Sequence, residues 1–241
     1  MVKTPGFLLA KFGRKEHLEA LKNGIIFFNA IKNYRNDGTS YRGDSMEGKI
    51  PIDPEQVKMF DEDGNDFWPL LKNVGSYVSL TWSWQGDDDL LMFCASALTK
   101  EIMKNIEDNK WILGNDFKNA VKEFGDYVII LTSAELCSKI MESKEGFNNR
   151  IHIDARTIIY RELSDFSDTD AYRKTGSQLD PYFVKDYSKY RYQNEWRIIL
   201  WGDPGLQLNE FGGYFIKTEP LEYAYIFETE KFLNGFSVEG I

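Results

Sequence analysis

An α+β fold, with a mixed and largely antiparallel sheet flanked by helices, is predicted by three features of this 241-residue sequence. Segments of period two recur at irregular separations instead of alternating one by one with helices. Helical patterns cluster in the first two-thirds of the chain. Aromatic residues make up 15% of it, which suits a packed sheet better than a helical bundle. Folding a chain of this size hides roughly 70–75% of its unfolded surface, enough for a core without disulfides or metals. With no internal repeat and no low-complexity linker, residues 1–241 read as one domain.

The elements follow in order. Phe7 to Phe12 reads as a first strand, and Lys15 to Asn23 as a helix with Leu18 and Leu21 on one face and Gly24 as its C-terminal stop. Ile25 to Phe28 is a second strand, and residues 33–66, rich in Gly, Asn and Asp, read as a long loop. Tyr77 to Trp84 alternates, with Val78, Leu80, Trp82 and Trp84 on one side and Tyr77, Ser79, Thr81 and Ser83 on the other. Thr99 to Trp111 and Asp116 to Phe124 carry helical patterns, the second ended by Gly125. Tyr127 to Leu131 is a strand, and Thr132 with Glu135 forms a capping box that starts a helix running through Ser143. Arg150 to Asp154 and Thr157 to Tyr160 pattern as a hairpin. Residues 163–180 are a polar loop, followed by a short helical stretch through Lys185. Tyr192 to Trp201, Tyr214 to Lys217 and Ala224 to Phe227 complete the strands, with Gly212-Gly213 as a turn.

The net charge of −9, from 29 basic and 38 acidic side chains, gives no nucleic-acid signature and favours solubility. The two cysteines, Cys94 and Cys137, each lie in an apolar stretch and read as reduced, buried thiols. No stretch approaches the apolar length of a membrane span, so a cytoplasmic location is expected, without membrane association. His17 and His152 are far apart in sequence and lack ligand spacing, so no metal site of His and Cys is expected. His17 reads as solvated on its helix and His152 as part of a strand's polar face. No nucleophile elbow, phosphate-binding loop or dinucleotide fingerprint is present. Asp44, Glu47 and the run Asp87-Asp88-Asp89 are acids that a hard cation would accept, but a solvated turn is the better account of the run, and no metal ligand is assigned.

The segment YRYQNEWRIIL, Tyr190 to Leu200, is the most informative. A period of two puts Gln193, Glu195 and Arg197 on one face and Tyr192, Asn194, Trp196, Ile198 and Leu200 on the other. The same face continues through Ile199 and Trp201, so part of it is covered, and a covered carboxylate needs a partner or a chemical role. An outward-facing strand, with Glu195 bridging Arg197 or a cross-strand lysine, is the plain alternative.

The pattern GIIFFNAIKNY, then DSMEG, YVSLTWS with LLMF, and YQNEWRI resembles, in order from Leu21 to about Leu200, a bacterial family known as domain of unknown function 2971, related to abortive-infection proteins. That family implies a fold and no activity. The order Arg14, Ser79-Leu80-Thr81, Gln193-Asn194-Glu195 also resembles the ADP-ribosyltransferases, with Leu80 where they carry threonine. The second resemblance implies an ADP-ribosyltransferase-like fold that consumes nicotinamide adenine dinucleotide (NAD) in a toxin or phage-defence system. By that resemblance Glu195 and Gln193 would be catalytic, Glu195 holding the nicotinamide ribose and Gln193 orienting a macromolecular acceptor. Arg14, Ser79, Thr81 and Arg197 would bind NAD. A cognate antitoxin or defence partner is implied as well. The competing expectation is a non-enzymatic defence or regulatory protein whose aromatic-rich sheet, with Trp82, Trp84, Trp196 and Trp201, binds a protein or small ligand.

Overall fold

The structure, a computed structural model, describes residues 6–39, 43–52, 58, 60–66, 80–83, 87–107, 110–143, 151–162, 179–202, 208–210 and 212–239. Its centre is an eight-stranded antiparallel sheet. Six α-helices are present among the described residues: α1 (Lys15–Lys22), α2 (Ile31–Asn36), α3 (Asn115–Val121), α4 (Ser133–Glu142), α5 (Tyr187–Tyr190) and α6 (Thr229–Gly235). This is the expected α+β class.

The sheet is organised by β5 (Leu91–Ala97), a strand that the helical and alternating patterns did not single out. Its LMFCASA sequence is buried at almost every position, so it has no polar face to reveal a period of two. One edge of β5 pairs over six residues with β12 (Glu195–Gly202). The other edge is shared. β1 (Leu8–Gly13) pairs with its C-terminal end and β2 (Ile25–Ala30) with its N-terminal end. Beyond β1 lie β8 (Tyr127–Thr132) and then β14 (Tyr225–Glu228), beyond β2 lies β13 (Tyr214–Lys217), and beyond β12 lies β9 (Ile151–Thr157).

Three apolar clusters hold these layers. Trp196, Ile198 and Leu200 of β12 join Leu91, Phe93 and Ala95 of β5 under α1 and α4, with Leu18, Leu21, Leu136 and Ile140. A second cluster joins Val128 and Ile130 to Phe117 and Val121 of α3 and Phe232 and Leu233 of α6. The third lies on the opposite face of β12 and β5, where Ile199 and Met92 meet Ile31, Ile158, Tyr182 and Phe183. Both faces of β12 are therefore covered.

Several expected elements form with local causes intact. Gly24, with φ +83°, ends α1 in the left-handed region, where a Cβ would meet the Thr218 carbonyl. The Thr132 side chain accepts from the Glu135 amide and caps α4. The reciprocal half of the capping box is absent, because the Glu135 carboxylate instead accepts the amides of Glu222 and Tyr223.

Other expectations are corrected. The helix expected over Thr99 to Trp111 is a 3-10 turn, Lys100–Ile102, followed by β6 (Met103–Glu107) and β7 (Lys110–Leu113). Ile102 and Ile106 stand at helical spacing, but β7 pairs with both β6 and β15 (Ser237–Glu239), and that tertiary pairing overrides local propensity. The expected hairpin is not one: β10 (Ile159–Arg161) leaves β9 and pairs in parallel with β11 (Val184–Asp186). The helical stretch through Lys185 is a 3-10 turn, Asp180–Phe183, leading into β11. Within 33–66, part of the expected loop belongs to α2 and to β3 (Ile50–Ile52), which pairs with β4 (Leu80–Trp82). Tyr77 to Ser79, Trp84 and the 163–178 loop lie outside the described residues.

Thr132→Ala removes the side-chain cap of α4 and is expected to lower stability by about 1 kcal/mol. Urea denaturation checks this, with a shifted midpoint at unchanged slope as the expected result.

Candidate functional site

The site is built on the charged start of β12. Register sets Glu195 opposite Ser96, Arg197 opposite Cys94 and Ile199 opposite Met92, so these side chains share the face covered by the Tyr182 and Phe183 cluster. The alternation expected for Glu195, Arg197 and Ile199 thus holds. Gln193 does not share it: it closes a 3-10 turn, Arg191–Gln193, and Asn194 follows in the left-handed region with φ +45°. The Asn194 carboxamide explains the break, since it donates to the Ala97 carbonyl at 2.7 Å and the Thr99 hydroxyl at 2.8 Å. Gln193 is buried beside the strand's start but off its ladder.

Arg197 is fully buried and bonded through all three guanidinium nitrogens. Nε donates to Glu195 Oε1 at 2.5 Å, Nη1 to Glu47 Oε1 at 2.6 Å and to the Tyr182 carbonyl at 2.5 Å, and Nη2 to Glu47 Oε2 at 2.7 Å. Lys185 Nζ lies 2.9 Å from Glu195 Oε2 and 3.7 Å from Glu47 Oε2, with the Tyr190 ring 4.6 Å beneath it. The Tyr160 hydroxyl accepts from the Glu195 amide at 2.7 Å. A buried charge is tolerable only when paired and hydrogen-bonded, and this arrangement meets that condition for all four groups.

A second ionic pair closes a ring around the first. Arg35 of α2 donates to both Asp87 carboxylate oxygens, at 2.7 and 2.6 Å, and to the Glu47 carbonyl at 2.8 Å. The Tyr182 hydroxyl donates to Asp87 at 3.0 Å while its carbonyl receives Arg197. Arg197, Glu47, Arg35, Asp87 and Tyr182 thus form a closed cycle of bonds drawn from five separate parts of the chain. Gly48 makes room for it: with φ +67°, a Cβ there would lie 2.3 Å from the Tyr182 ring.

The charges act on one another as Coulomb's law requires. Burial alone would raise the Glu195 carboxyl, but Arg197 and Lys185 outweigh it and hold the group well below the usual carboxylate range. Burial would lower Lys185, and Glu195 and Glu47 reverse that. Asp44 moves the other way: burial and then Glu47 raise its carboxyl, with Lys185 opposing. Burial, reinforced by Glu195, pushes the Cys94 thiol up to about 12, leaving it a poor nucleophile.

The remaining sequence-nominated residues lie elsewhere. Ala10 and Glu195 both stand opposite Ser96, on the two edges of β5, and Arg14 lies past the end of β1, four residues beyond Ala10. Arg14 is exposed at the start of α1. Thr81 is exposed on the small β3–β4 sheet, and Ser79 lies outside the described residues. Of the acids a hard cation would accept, Glu47 and Asp87 pair with Arg197, Lys185 and Arg35, Asp44 accepts the Met46 amide, and no group of three or more metal-ligating side chains occurs among the described residues. Lys185 was missed altogether. Its neighbours Val184 and Asp186 give a short V-K-D run with no signal that the lysine points inward. His152 is on a strand's exposed face, as expected, stacked 4.4 Å from Trp201. No helix among the described residues is long and apolar enough to cross a membrane.

Fold and site together define an α+β protein with a buried four-membered ionic cluster beneath its main sheet. Comparison with protein-family models, with curated proteins and with solved structures finds no match to this chain.

Arg197→Met strands two buried carboxylates and is expected to cost about 3–5 kcal/mol. Combining it with Glu47→Leu, Glu195→Leu and Lys185→Met is expected to recover part of that loss, because no unpaired charge of the cluster is left; denaturant titration of the parent and the two variants measures both effects. The pH dependence has two signs. Glu195, with its depressed folded value, contributes stability above the ordinary Glu value of about 4.3, lost as pH falls toward the folded value. Asp44, with its raised folded value, contributes stability below the ordinary Asp value of about 3.9, lost as pH rises through the folded value. Asp44→Asn should therefore gain thermal stability relative to the parent between pH 4 and 8. A constant difference across that range would refute the assignment.

Proposed function

We propose that this chain is a non-enzymatic binding protein of a defence or regulatory kind, with the aromatic-rich sheet as its working surface and the Glu195–Arg197 cluster as the internal support of that sheet. The observation that carries the reading is the occupation of Glu195. One oxygen receives Arg197 and the other Lys185, both from buried positions, while the exposed Arg14 lies past the end of β1 across β5. A carboxylate committed in this way orients structure. To serve a substrate it would first have to release a cation into an apolar surrounding. The kinship with domain of unknown function 2971 and abortive-infection proteins belongs to the same proposal and supports a defence setting.

A second reading is favoured by one specific feature, the opposite displacement of two buried carboxyls that both feel Lys185 and Arg197. Burial and Glu47 raise the Asp44 carboxyl while Arg197 and Lys185 lower that of Glu195, the opposed tuning expected of an acid and a charge stabiliser. In that reading the chain is an NAD-consuming ADP-ribosyltransferase-like enzyme with a macromolecular acceptor. Glu195 stabilises the oxocarbenium-like transition state electrostatically, and Lys185 or Arg197 takes the diphosphate in place of Arg14.

One experiment separates the readings. The full chain is incubated with NAD labelled in its adenylate half, with and without cell lysate, and nicotinamide release and label transfer are followed beside a thermal-shift titration with NAD. The binding-protein reading expects no release above a heat-denatured control and no stabilisation by NAD. Release that is abolished in Glu195→Gln but retained in a folded Arg14→Ala protein establishes the enzymatic reading instead.

A further inference from the structure

The sheet ends at β14, which pairs only with β8 among the described residues. Two alternate residues of β14 carry large exposed rings, Tyr225 at 58% and Phe227 at 46%, and Tyr223 in the turn just before the strand is 63% exposed. Ala224, just before the strand, is buried and Ile226 packs into the main core, so β14 is fixed from one side and presents Tyr225 and Phe227 on the other, with Tyr223 extending the row from the preceding turn. Phe227 is braced against Phe232 of α6 at 6.5 Å between ring centroids. An unpaired edge with an apolar ladder is a template for an added strand.

The charge around this edge selects the occupant. Residues 219–230, EPLEYAYIFETE, hold four glutamates and no lysine or arginine. Glu222 and Glu228 bracket the ladder, with side chains 69% and 52% exposed; Lys139 lies 3.8 Å from Glu222 and Lys231 2.9 Å from Glu228. A second copy is a poor occupant. Antiparallel self-pairing centred on Tyr225 would set Tyr223 against Phe227, which is favourable, but also Glu222 against Glu228 at both ends, and like charges directly opposite are destabilising.

We propose that β14 is a docking edge that takes an extended, basic segment of a partner protein as an additional antiparallel strand, with apolar side chains on Tyr223, Tyr225 and Phe227 and lysine or arginine beside Glu222 and Glu228. This rests on the binding-protein reading and gives it a surface and a partner chemistry. Backbone pairing supplies affinity, the ladder supplies register, and the flanking glutamates supply selection by charge and sensitivity to salt.

The test uses the full chain and three synthetic ten-residue peptides: alternating lysine and valine, alternating glutamate and valine, and the lysine–valine peptide with two central prolines. Binding is measured by fluorescence anisotropy, and amide hydrogen exchange is followed at residues 225–228. Expected results are at least tenfold tighter binding of the basic peptide than of the other two, and slowed exchange in β14. Binding should weaken at least tenfold in Tyr223→Ser/Tyr225→Ser/Phe227→Ser and in Glu222→Gln/Glu228→Gln, each checked for an unchanged thermal midpoint. Equal binding of basic and acidic peptides, no binding, or binding without protection of β14 overturns the proposal. So does a self-association in sedimentation that the aromatic variant abolishes, since the occupant would then be a second copy. Failure here with NAD still inert leaves the binding-protein reading standing without this edge, whereas Glu195-dependent nicotinamide release removes that reading itself.

Discussion

A fully buried guanidinium sets the terms for much of this molecule. Arg197 projects from the central region of the main sheet into a layer otherwise made of Met92, Ile199, Ile31 and Phe183, where an unpaired charge would be intolerable. Its three nitrogens are satisfied only because Glu195 precedes it by two residues, the turn carrying Glu47 folds over it, and the 3-10 turn of Tyr182 turns a carbonyl toward it. Each of those conditions fixes a different stretch of chain. The charge is therefore a constraint on topology as much as a source of energy, since an apolar replacement of similar volume would need none of these segments in place.

The constraint spreads outward through shared groups. Glu47 binds Arg197 with its carboxylate and Arg35 with its backbone carbonyl, so α2 is tied to β12 through one residue. Tyr182 likewise uses its carbonyl for Arg197 and its hydroxyl for Asp87. Groups shared in this way are coupled, and their contributions to stability do not add. Gly48 shows how closely the parts fit, as a single added methyl carbon would enter the Tyr182 ring. A substrate approaching Glu195 would have to displace Arg197 or Lys185, which is consistent with the supporting role proposed for the cluster.

The proposed working surface lies where the sheet runs out of partners. β12 lies between β5 and β9, and its inner aromatic residue, Trp196, serves packing, while Trp201 near its end is exposed and stacks on His152. The edge strand β14 has the opposite character, with rings standing in solvent beside glutamates. The two regions divide the labour of an aromatic-rich sequence: inner rings fill the core, and outer rings offer contact area with little side-chain freedom to lose.

The sequence by itself determined the α+β class, the short-range devices and the strand alternation. Gly24 stops α1, Thr132 caps α4, and Glu195, Arg197 and Ile199 share a face, because each depends on backbone geometry within a few residues. Sequence also marked Asp44, Glu47 and Asp87 as acids a hard cation would accept, with a solvated turn as the better account of the run at Asp87. What they pair with lies across the fold: Glu47 meets Arg197 across 150 residues of sequence and Asp87 meets Arg35 across 52. Gln193 left the shared face because Asn194 found partners at Ala97 and Thr99. β6 and β7 are strands because β15 returns to pair with them. Local pattern cannot carry such information, since the bond depends on which distant segment the hydrophobic layers bring alongside. Only tertiary structure decided that the polar stripe on β12 would be an internal ionic cluster and that the bare edge would be β14.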